Sequence, residues 1–406
     1  MSTKLVVVGC GFPQLSLIRR ARALGIDVTG IDVNPNAVGV PYCNSFESIS
    51  TSDSSAIADH MKKSGSRAIT STGSELAVRT AAIVAADLDL PFYASPEVIR
   101  VCQEKDAMRA GYARAGLGVP NFESCRDFDA ALKFVNHIGY PVVLKPARGW
   151  GQRGVSRVNT LDELEGAFAD ALSHATVAGL PSVVVEAWIT GREYSVNGWI
   201  ESGELVAYAV TERITVPGDR PLGVMSAEVY PSGLSATDEA RVVDVARRGA
   251  MALGHRRGPC YSQVALGERG AMLFETAARM GGGFDADVTF LASGVDLYHR
   301  TIGIAIADRS LEFEGKTGTS HAAATAKFLI GTPGKIISIS GLQAARSLPH
   351  VYDVQLFATS GGTISPLTDS AKRAGYALAT GSSASDAIDN ANRALTTLKL
   401  NVDTAS

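Results

Sequence analysis

The residues from Tyr140 to Val155 read YPVVLKPARGWGQRGV. The apolar run that ends at Lys145 predicts a β-strand, and a glycine-rich loop follows it at once. Backbone N–H groups of such a loop can approach phosphate oxygens, and the lysine supplies a positive charge beside them. No Gly-Lys-Ser or Gly-Lys-Thr follows, so the motif is not a Walker P-loop. Taken alone, it fits a phosphate-binding loop and an ordinary hairpin with glycines in its turn about equally well.

Two glutamates follow the next apolar run. Val183-Val184-Val185-Glu186 predicts a buried strand that ends in a carboxylate, and Glu193 comes after the short linker Thr190-Gly191-Arg192. Carboxylates at these positions suit a binding cleft, although two solvated acids at strand ends would give the same pattern.

A predicted hairpin carries Gln263 on one strand and Glu275 on the other. A three-residue loop, Glu268-Arg269-Gly270, would place the two side chains directly opposite each other on one face. Two oxygen ligands there would suit a hard cation such as Mg²⁺. A four-residue loop would turn them to opposite faces, so the metal hypothesis depends on the register.

Arg279 lies four residues past Glu275, and Gly281-Gly282-Gly283 follows. An arginine beside a metal carboxylate would stabilise charge that builds on a phosphoryl group or an oxyanion. A surface salt bridge is the alternative.

The N-terminal turn Gly9-Cys10-Gly11 follows a predicted strand, and Asp32 ends the next strand. This is part of a dinucleotide-binding fingerprint, but Pro13-Gln14 replaces its third glycine, so nicotinamide binding is disfavoured. The alternatives are a tight strand–helix turn and a helix N-terminus that receives an anionic substrate.

The alternation of elements predicts a multidomain protein of α/β and α+β class. Strands and helices alternate over the first hundred residues, which indicates a parallel sheet covered on both faces. Residues 125–190 resemble a small α+β unit, and hairpins follow it. The last eighty residues combine β-strands with a final amphipathic helix.

Composition narrows the function. The 406 residues carry a net charge of −3, which argues against a broad nucleic-acid surface, and no apolar run reaches the length of a membrane span. The five cysteines form no metal-binding spacing and predict free thiols in the cytoplasm. We expect small-molecule partners.

The order and spacing of these motifs, with Lys105 added, resemble the ATP-grasp superfamily. The tail, with Arg373-Ala374-Gly375-Tyr376 and Ala379-Thr380-Gly381, is similar to the C-terminal lobe of amino-acid ligases and biotin-carboxylase-like relatives. The resemblance implies a pre-ATP-grasp α/β domain at residues 1–100, an ATP-grasp domain at 101–320 with a lid at about 125–190, and a β-rich C-terminal lobe at 321–406. It leaves a homodimer open.

The resemblance also implies which residues bind the nucleotide. They are Lys105 and Lys145 for the phosphates of ATP; Gly149, Gly151 and Gly154 for a mobile flap; Glu186, Ala187, Trp188 and Ile189 for the hinge at the adenine; and Glu193 for the ribose.

For the reaction itself, the resemblance implies that Gln263 and Glu275 hold Mg²⁺, which Mn²⁺ can replace. Arg279 would face an acyl phosphate, and Gly281, Gly282, Gly283 and Glu75 would contact the substrate. Gln263 stands where many members have Glu, and Ala277 where many have Asn, which leaves the number of metal ions open.

The expected function is an ATP-dependent carboxylate–amine ligase that releases ADP, most similar to the L-amino-acid ligases. The runner-up is a purine-pathway ligase that acts on a ribonucleotide with formate or bicarbonate. A nucleotide sensor with a degenerate site is the non-enzymatic alternative. Arg213, Arg220 and Arg256 could seat a substrate carboxylate, but solvated surface arginines are the more frequent explanation.

Overall fold

A computed structural model describes residues 3–149, 151–175, 181–219, 222–357 and 359–404. Within these ranges the strands form four sheets, and their arrangement confirms the predicted mixture of α/β and α+β units. None of the helices in the described ranges has the length and apolar composition that a membrane span requires.

The N-terminal unit is a parallel sheet with the strand order β3-β2-β1-β4. The central strands β1 and β2 are buried over all but their first residue, because helices cover the sheet. The strands are β1 (Lys4–Val8), β2 (Asp27–Ile31), β3 (Ser45–Glu47) and β4 (Ile69–Thr70), and the helices are α1 (Phe12–Ala23), α2 (Ser54–Ser64) and α3 (Glu75–Asp87).

Two helices, α4 (Pro96–Val101) and α5 (Lys105–Arg114), lead into a small antiparallel unit that we call the lid. Its strand order is β5-β8-β6-β7, and it has its own apolar core. The lid comprises β5 (Phe122–Cys125), α6 (Phe128–Ile138), β6 (Val142–Pro146), β7 (Ser156–Val158), α7 (Leu161–Ser173) and β8 (Val183–Ala187).

An eight-stranded antiparallel sheet forms the largest part of the molecule, in the order β13-β12-β9-β10-β11-β14-β18-β16. It crosses the boundary predicted at residue 320, because three strands of the C-terminal lobe continue it. Its strands are β9 (Arg192–Glu201), β10 (Glu204–Thr215), β11 (Met225–Tyr230), β12 (Gly258–Gly267), β13 (Gly270–Ala277), β14 (Ala323–Leu329), β16 (Val351–Leu356) and β18 (Gly375–Gly381).

The remaining elements surround this sheet. A small sheet in the order β17-β15-β19 completes the C-terminal lobe. Its strands are β15 (Gly334–Ser340), β17 (Thr363–Ile364) and β19 (Lys399–Asp403), and the helices are α8 (Ala236–Ala252), α9 (Asp285–Ser293), α10 (Leu297–Ala305), α11 (Arg309–Glu312), α12 (Leu342–Arg346) and α13 (Ala384–Thr397).

The hairpin β12–β13 pairs Gln263 with Glu275, as the sequence predicted, but by a different route. The connection is a two-residue turn, since Gly267 pairs with Gly270 rather than with Ala271. A β-bulge at Phe274 then adds the extra residue that brings Glu275 opposite Gln263.

Candidate active site

A cavity of about 460 Å³ lies where the lid, the large sheet and the N-terminal unit meet. Most of the residues predicted for the site line it, although they come from distant parts of the chain. These are Glu75, Lys105, Lys145, Gly149, Gly151, Glu186, Trp188, Ile189, Glu193, Gln263, Glu275, Arg279, Gly282 and Gly283.

Three predicted residues, Gly154, Ala187 and Gly281, are not part of the described lining. Gly154 packs against α7, because a Cβ on it would lie 3.0 Å from the Cα of Ala171. The backbone N–H of Ala187 donates to the carbonyl of Asn121 at 2.9 Å, which ties the hinge to the lid sheet.

Lys145 and Glu186 form a buried ion pair at the base of the lid. Arg109 on α5 binds the same carboxylate from the other side, with Nε 2.9 Å from Oε2 and Nη2 3.1 Å from Oε1. Burial, with repulsion from Arg109, lowers the pKa of Lys145 well below its ordinary value. The Glu186 carboxylate therefore positions two cations, and any contact of the hinge with an adenine would come from its backbone.

The glycine-rich loop between β6 and β7 is held from two sides. On one side Lys105 Nζ donates to the carbonyl of Gly149 at 2.8 Å. On the other side the backbone N–H of Ser370 donates to the carbonyl of Gly151 at 3.0 Å, and the Ser370 hydroxyl donates to Gln152. Ser370 belongs to the C-terminal lobe, so this lobe contacts the loop directly. Gly151 and Gly154 have φ values of +73° and +65°, which favour glycine.

Glu193, Gln263 and Arg213 are joined by hydrogen bonds across the large sheet. The Glu193 Oε2 atom accepts from Gln263 Nε2 at 2.7 Å and from Arg213 Nε at 3.5 Å. The side-chain oxygen of Gln263 (Oε1) remains available as a hydrogen-bond acceptor or metal ligand in the cavity.

Glu275 differs from the other acids of the cavity. Among the described residues its carboxylate has no hydrogen-bond or ion-pair partner, yet its charge acts on Lys105, Lys145 and Arg279. A free carboxylate opposite an amide oxygen fits a magnesium ion that takes its other ligands from phosphates and water. Among the described residues, no group of three or more acidic, histidine or cysteine side chains is placed to hold a metal ion.

Arg279 and Glu75 are brought together as an ion pair between the large sheet and the start of α3. Arg279 Nε donates to Glu75 Oε1 at 2.7 Å, and Nη1 donates to the carbonyl of Met280 at 2.9 Å. Burial opposes the charge, but Glu75 and Glu275 raise the pKa of Arg279, so it stays protonated. Glu75 is thus the ion-pair partner of Arg279 in this structure.

The amides of the Gly281–Gly283 turn have partners within the chain. The N–H of Gly281 donates to Asn197 Oδ1 at 3.2 Å, and that of Gly283 donates to Asp285 Oδ2 at 3.0 Å. Contact of this turn with a substrate stays a prediction. The turn is shaped by contact, since a Cβ on Gly282 would lie 2.8 Å from the carbonyl oxygen of Gly73.

Two acids beneath the cavity were not identified from the sequence. Asp285 and Glu228 are both buried, and each has an oxygen without a hydrogen-bond donor among the described residues. Burial and the neighbouring Asp285 raise the pKa of Glu228 well above its ordinary value. A protonated Glu228 that shares its proton with Asp285 satisfies both oxygens.

Arg109, which binds Glu186, and the lining residues Asp369, Ser370 and Arg373 were not predicted as site residues from the sequence. Arg109 lies on the amphipathic helix α5 and belongs to no recognisable motif. Arg373 was noted only as part of the C-terminal segment Arg373-Ala374-Gly375-Tyr376. Of the three arginines considered for a substrate carboxylate, Arg213 is buried in the cavity and Arg256 is exposed. Arg220 lies outside the described residues.

The structure disfavours a dinucleotide site at the Gly9–Gly11 turn. Asp32 Oδ2 accepts from the backbone N–H of Cys10 at 2.9 Å, and Oδ1 accepts from that of Asn34 at 3.0 Å. The Gln14 side chain covers the turn, with Oε1 2.9 Å from the position of a Cβ on Gly9. The tight-turn interpretation explains these contacts.

Two family models match the chain. Residues 138–287 match an ATP-grasp domain, and residues 327–403 match domain 2 of the L-amino acid ligase C-terminal region. The first range contains the lid strands β6, β7 and β8 and the β12–β13 hairpin, and the second contains Ser370 and Arg373.

Individual relatives cover the chain in part. An uncharacterized protein of Sinorhizobium fredii, y4rH, is 32% identical over 294 residues, which are 72% of this chain and 59% of the relative. The carbamoyl phosphate synthase large chain of Deinococcus deserti is 26% identical over 79% of this chain and 32% of its own length. The chain thus spans less than two thirds of these relatives.

Among solved structures, the L-amino acid ligase from Bacillus licheniformis superposes with a TM-score of 0.82. The match covers 100% of this chain and 99% of that structure at 18% sequence identity. At this identity the similarity establishes the fold.

Proposed function

We propose that the chain is an ATP-dependent ligase that joins a carboxylate to an amine. The matches to an ATP-grasp domain and to an L-amino acid ligase C-terminal domain support this proposal. The substrate carboxylate would be phosphorylated by ATP, and the amine would then displace phosphate, giving an amide, ADP and phosphate. We propose amino acids or amino-acid-like molecules as substrates.

The observation that carries this proposal is the free carboxylate of Glu275 in a cavity lined by cations. Lys105, Lys145 and Arg279 all line the same cavity, and Glu275 faces Gln263 across the hairpin. Phosphoryl transfer needs little covalent chemistry from a protein, so an arrangement of fixed charges is sufficient.

The positions of these residues in the cavity support a role for each. Lys105 and Lys145 would bind the phosphates, and the glycine-rich loop would cover them. Glu193 lies beside Gln263 and would accept hydrogen bonds from the ribose. Gln263 and Glu275 would hold Mg²⁺, which would supply positive charge that offsets the charge of the phosphates.

Arg279 would stabilise the acyl phosphate and the oxyanion that forms on attack by the amine. Because its guanidinium is paired with Glu75 here, we infer that Glu75 orients it. The loop excludes water, which protects the acyl phosphate from hydrolysis. The five free thiols fit a reducing compartment, so we propose a cytoplasmic location, and a homodimer stays a prediction.

The test is a coupled assay of ADP release over all pairs of the common L-amino acids, with and without Mg²⁺. ADP release that needs Mg²⁺ and two amino acids supports the proposal. Release only with formate or bicarbonate and a ribonucleotide would identify the purine-type alternative. Tight ATP binding without release under any condition would leave a nucleotide sensor.

A further inference from the structure

Two cysteines of the N-terminal unit pack against the same glycine. Gly30 stands inside β2, where a glycine weakens a strand and often marks a place that another group approaches closely. A Cβ on Gly30 would lie 2.5 Å from Cys10 Sγ and 2.7 Å from Cys43 Sγ. Any other residue at this position would therefore displace both sulfur atoms. The two thiols share the space that the glycine leaves open.

The segments that carry the two cysteines are also joined by hydrogen bonds. The Cys10 and Cys43 thiols are hydrogen-bonded to each other. The backbone N–H of Gly39 donates to the carbonyl of Cys10 at 2.8 Å, and the carbonyl oxygen of Gly39 lies 3.5 Å from Cys43 Sγ. The turn before α1 is thus held beside the segment before β3. A disulfide bond requires the sulfurs to approach to about 2.0 Å, and here they are already in contact.

The two thiols differ in acidity and in access to solvent. The hydrogen bond with Cys10 lowers the pKa of Cys43 against the effect of burial, and Arg22 lowers it further. The same hydrogen bond, together with burial, raises the pKa of Cys10. Cys10 is buried, whereas Cys43 is half-buried and lies between the exposed Tyr42 and Asn44. Because the thiolate is the form that reacts, Cys43 has the properties of an attacking thiol and Cys10 those of its partner.

The other three cysteines lack this combination. Cys102, Cys125 and Cys260 are all buried, and burial raises the pKa of each thiol. Cys102 and Cys260 are close enough for the charge of one to act on the other, so proximity alone does not distinguish the first pair. The structure describes all five cysteines, and only Cys43 among them is not buried.

We propose that Cys10 and Cys43 form a reversible oxidation site, at which a peroxide converts the two thiols to a disulfide bond. This site lies outside the cavity lining, and the inference does not depend on the proposed ligase function. An accessible thiolate beside a second thiol is the arrangement that peroxide-sensitive cysteines share. Disulfides of this kind are transient in a reducing compartment, where they serve as sensors.

The chemistry balances with hydrogen peroxide as the oxidant. The Cys43 thiolate attacks one peroxide oxygen, so an S–O bond forms, the O–O bond breaks, and the second oxygen leaves as hydroxide and takes up the proton lost by Cys43. The Cys10 sulfur then attacks the sulfenic sulfur, the S–S bond forms, and the hydroxyl leaves as water with the proton of Cys10. Two thiols lose two electrons, and the peroxide is reduced to two water molecules. A dithiol restores both thiols by exchange.

The experiment treats the full chain with hydrogen peroxide, blocks free thiols with iodoacetamide and maps the tryptic peptides without reductant. Trypsin separates the two cysteines, because residues 5–19 carry Cys10 and residues 23–62 carry Cys43. We expect these two peptides as a linked pair that has lost two hydrogen atoms and that dithiothreitol separates. Cys43 should be oxidised at least about tenfold faster than the buried Cys125.

Two variants separate the roles of the thiols. Cys10→Ser should leave the sulfenic acid of Cys43 without a resolving thiol, so dimedone should label Cys43 in this variant more strongly than in the unaltered protein. Cys43→Ser should leave Cys10 unoxidised. Cys125→Ser is the matched control, because it removes a buried thiol of the lid, and the linked peptides should form in it at the unaltered rate.

Several results would overturn the proposal, and each can be read in the unaltered protein. One is oxidation of Cys43 to a sulfinic acid with no linked peptides. A second is a disulfide that joins Cys43 of two separate chains, and a third is a linked pair that dithiothreitol does not separate. Equal rates of oxidation at Cys43 and Cys125 would show that access and acidity do not select Cys43.

Discussion

At the scale of single residues, the acids of the cavity divide by whether a cation already binds them. Among the glutamates that line the cavity, Glu75, Glu186 and Glu193 each contact an arginine, and Glu275 has no such partner in the described part of the chain. Substituting a paired acid leaves a buried guanidinium uncompensated, and its phenotype mixes stability with function. Substituting Glu275 leaves no guanidinium without its partner, so an effect on function can be distinguished from an effect on stability.

We expect Glu275→Gln to fold and to lose most of its response to Mg²⁺. The amide removes the negative charge but keeps the shape, and losing a direct ligand should weaken the apparent Mg²⁺ affinity by at least about tenfold. Titrations of ADP release against Mg²⁺ measure it. Glu268→Gln, an exposed turn residue of the same hairpin, is the control. An unchanged titration curve would remove Glu275 from the metal site.

His255 provides a residue-scale prediction about stability. It is 1% exposed, its Nε2 lies 3.0 Å from the carbonyl oxygen of Pro259, and burial lowers its pKa from 6.5 to about 4. The unfolded chain thus binds more protons between these values, so the free energy of unfolding falls as the pH drops through this window. The largest loss from one such group is about 3 kcal/mol.

We expect His255→Leu to flatten this pH dependence, although the lost hydrogen bond lowers overall stability. Urea unfolding at about pH 7 and about pH 5 gives the two values that are compared. His137→Leu, at an exposed position of α6, should keep the full decrease. An identical decrease in His255→Leu and the unaltered protein would contradict the assignment.

Single residue types at the site could be predicted because strand ends and glycine loops carry local signals. Their partners could not, since nothing local links Arg109 to Glu186, 77 positions away, or Arg279 to Glu75, 204 positions away. Both pairs depend on how separate units pack.

At the scale of elements, the glycine-rich loop and the C-terminal lobe act as one contact. Ser370 holds Gly151 and Gln152 with a backbone and a side-chain hydrogen bond, and its own carbonyl accepts from Arg373. The position of the glycine-rich loop is therefore linked to the part of the C-terminal lobe that carries Arg373.

In the absence of a nucleotide, we expect the glycine-rich loop to open more often in Ser370→Ala, because the hydrogen bond to Gln152 is lost. Trypsin should then cleave after Arg148 or Arg153 about two- to tenfold faster. ADP with Mg²⁺ should restore protection in the variant. Ser382→Ala, which removes a hydroxyl bound to Asp386 in the same lobe, is the control. Equal cleavage rates in all three proteins would show that Ser370 does not hold the loop.

The β12–β13 hairpin shows what element-level prediction achieves. The pairing of Gln263 with Glu275 was predicted from a three-residue loop that ends at Gly270, whose φ is +85°. The turn length was wrong, because a bulge supplies the residue that the loop was expected to supply. The sequence gives the number of residues between Gln263 and Glu275. It does not show whether an extra residue lies in the turn or in a β-bulge.

At the scale of the whole molecule, α1 fastens the N-terminal unit to the rest. Arg20 Nε contacts Asp296 at 2.5 Å, Arg19 Nη1 contacts Asp353 at 3.1 Å, and the Ser16 hydroxyl donates to Asp287 at 3.1 Å. One apolar core extends from β1 and α1 to α10. We therefore expect the N-terminal unit and the large sheet to unfold together. The sequence predicted both units, but contacts between residues up to 334 positions apart are invisible to it.

Arg20→Ala should lower the free energy of unfolding by about 3 kcal/mol, because the buried Asp296 carboxylate loses its guanidinium. Arg22→Ala, on an exposed face of the same helix, should change it by less than about 1 kcal/mol. Chemical unfolding followed by circular dichroism measures both. Two separate transitions in the unaltered protein would argue against a shared core.

The β-bulge at Phe274 predicts what deletion of this residue would do. Its carbonyl, released from the strand ladder, accepts a hydrogen bond from Arg109 Nη1 at 2.9 Å, and Arg109 in turn holds Glu186 beside Lys145. Losing the Phe274 codon would leave a regular ribbon in which Gln263 still faces Glu275. The same loss would remove the oxygen that steadies Arg109. Deleting Phe274 would thus remove the support of Lys145 while Gln263 stays paired with Glu275. A side-chain substitution at this position cannot do so, because the oxygen that Arg109 binds belongs to the backbone.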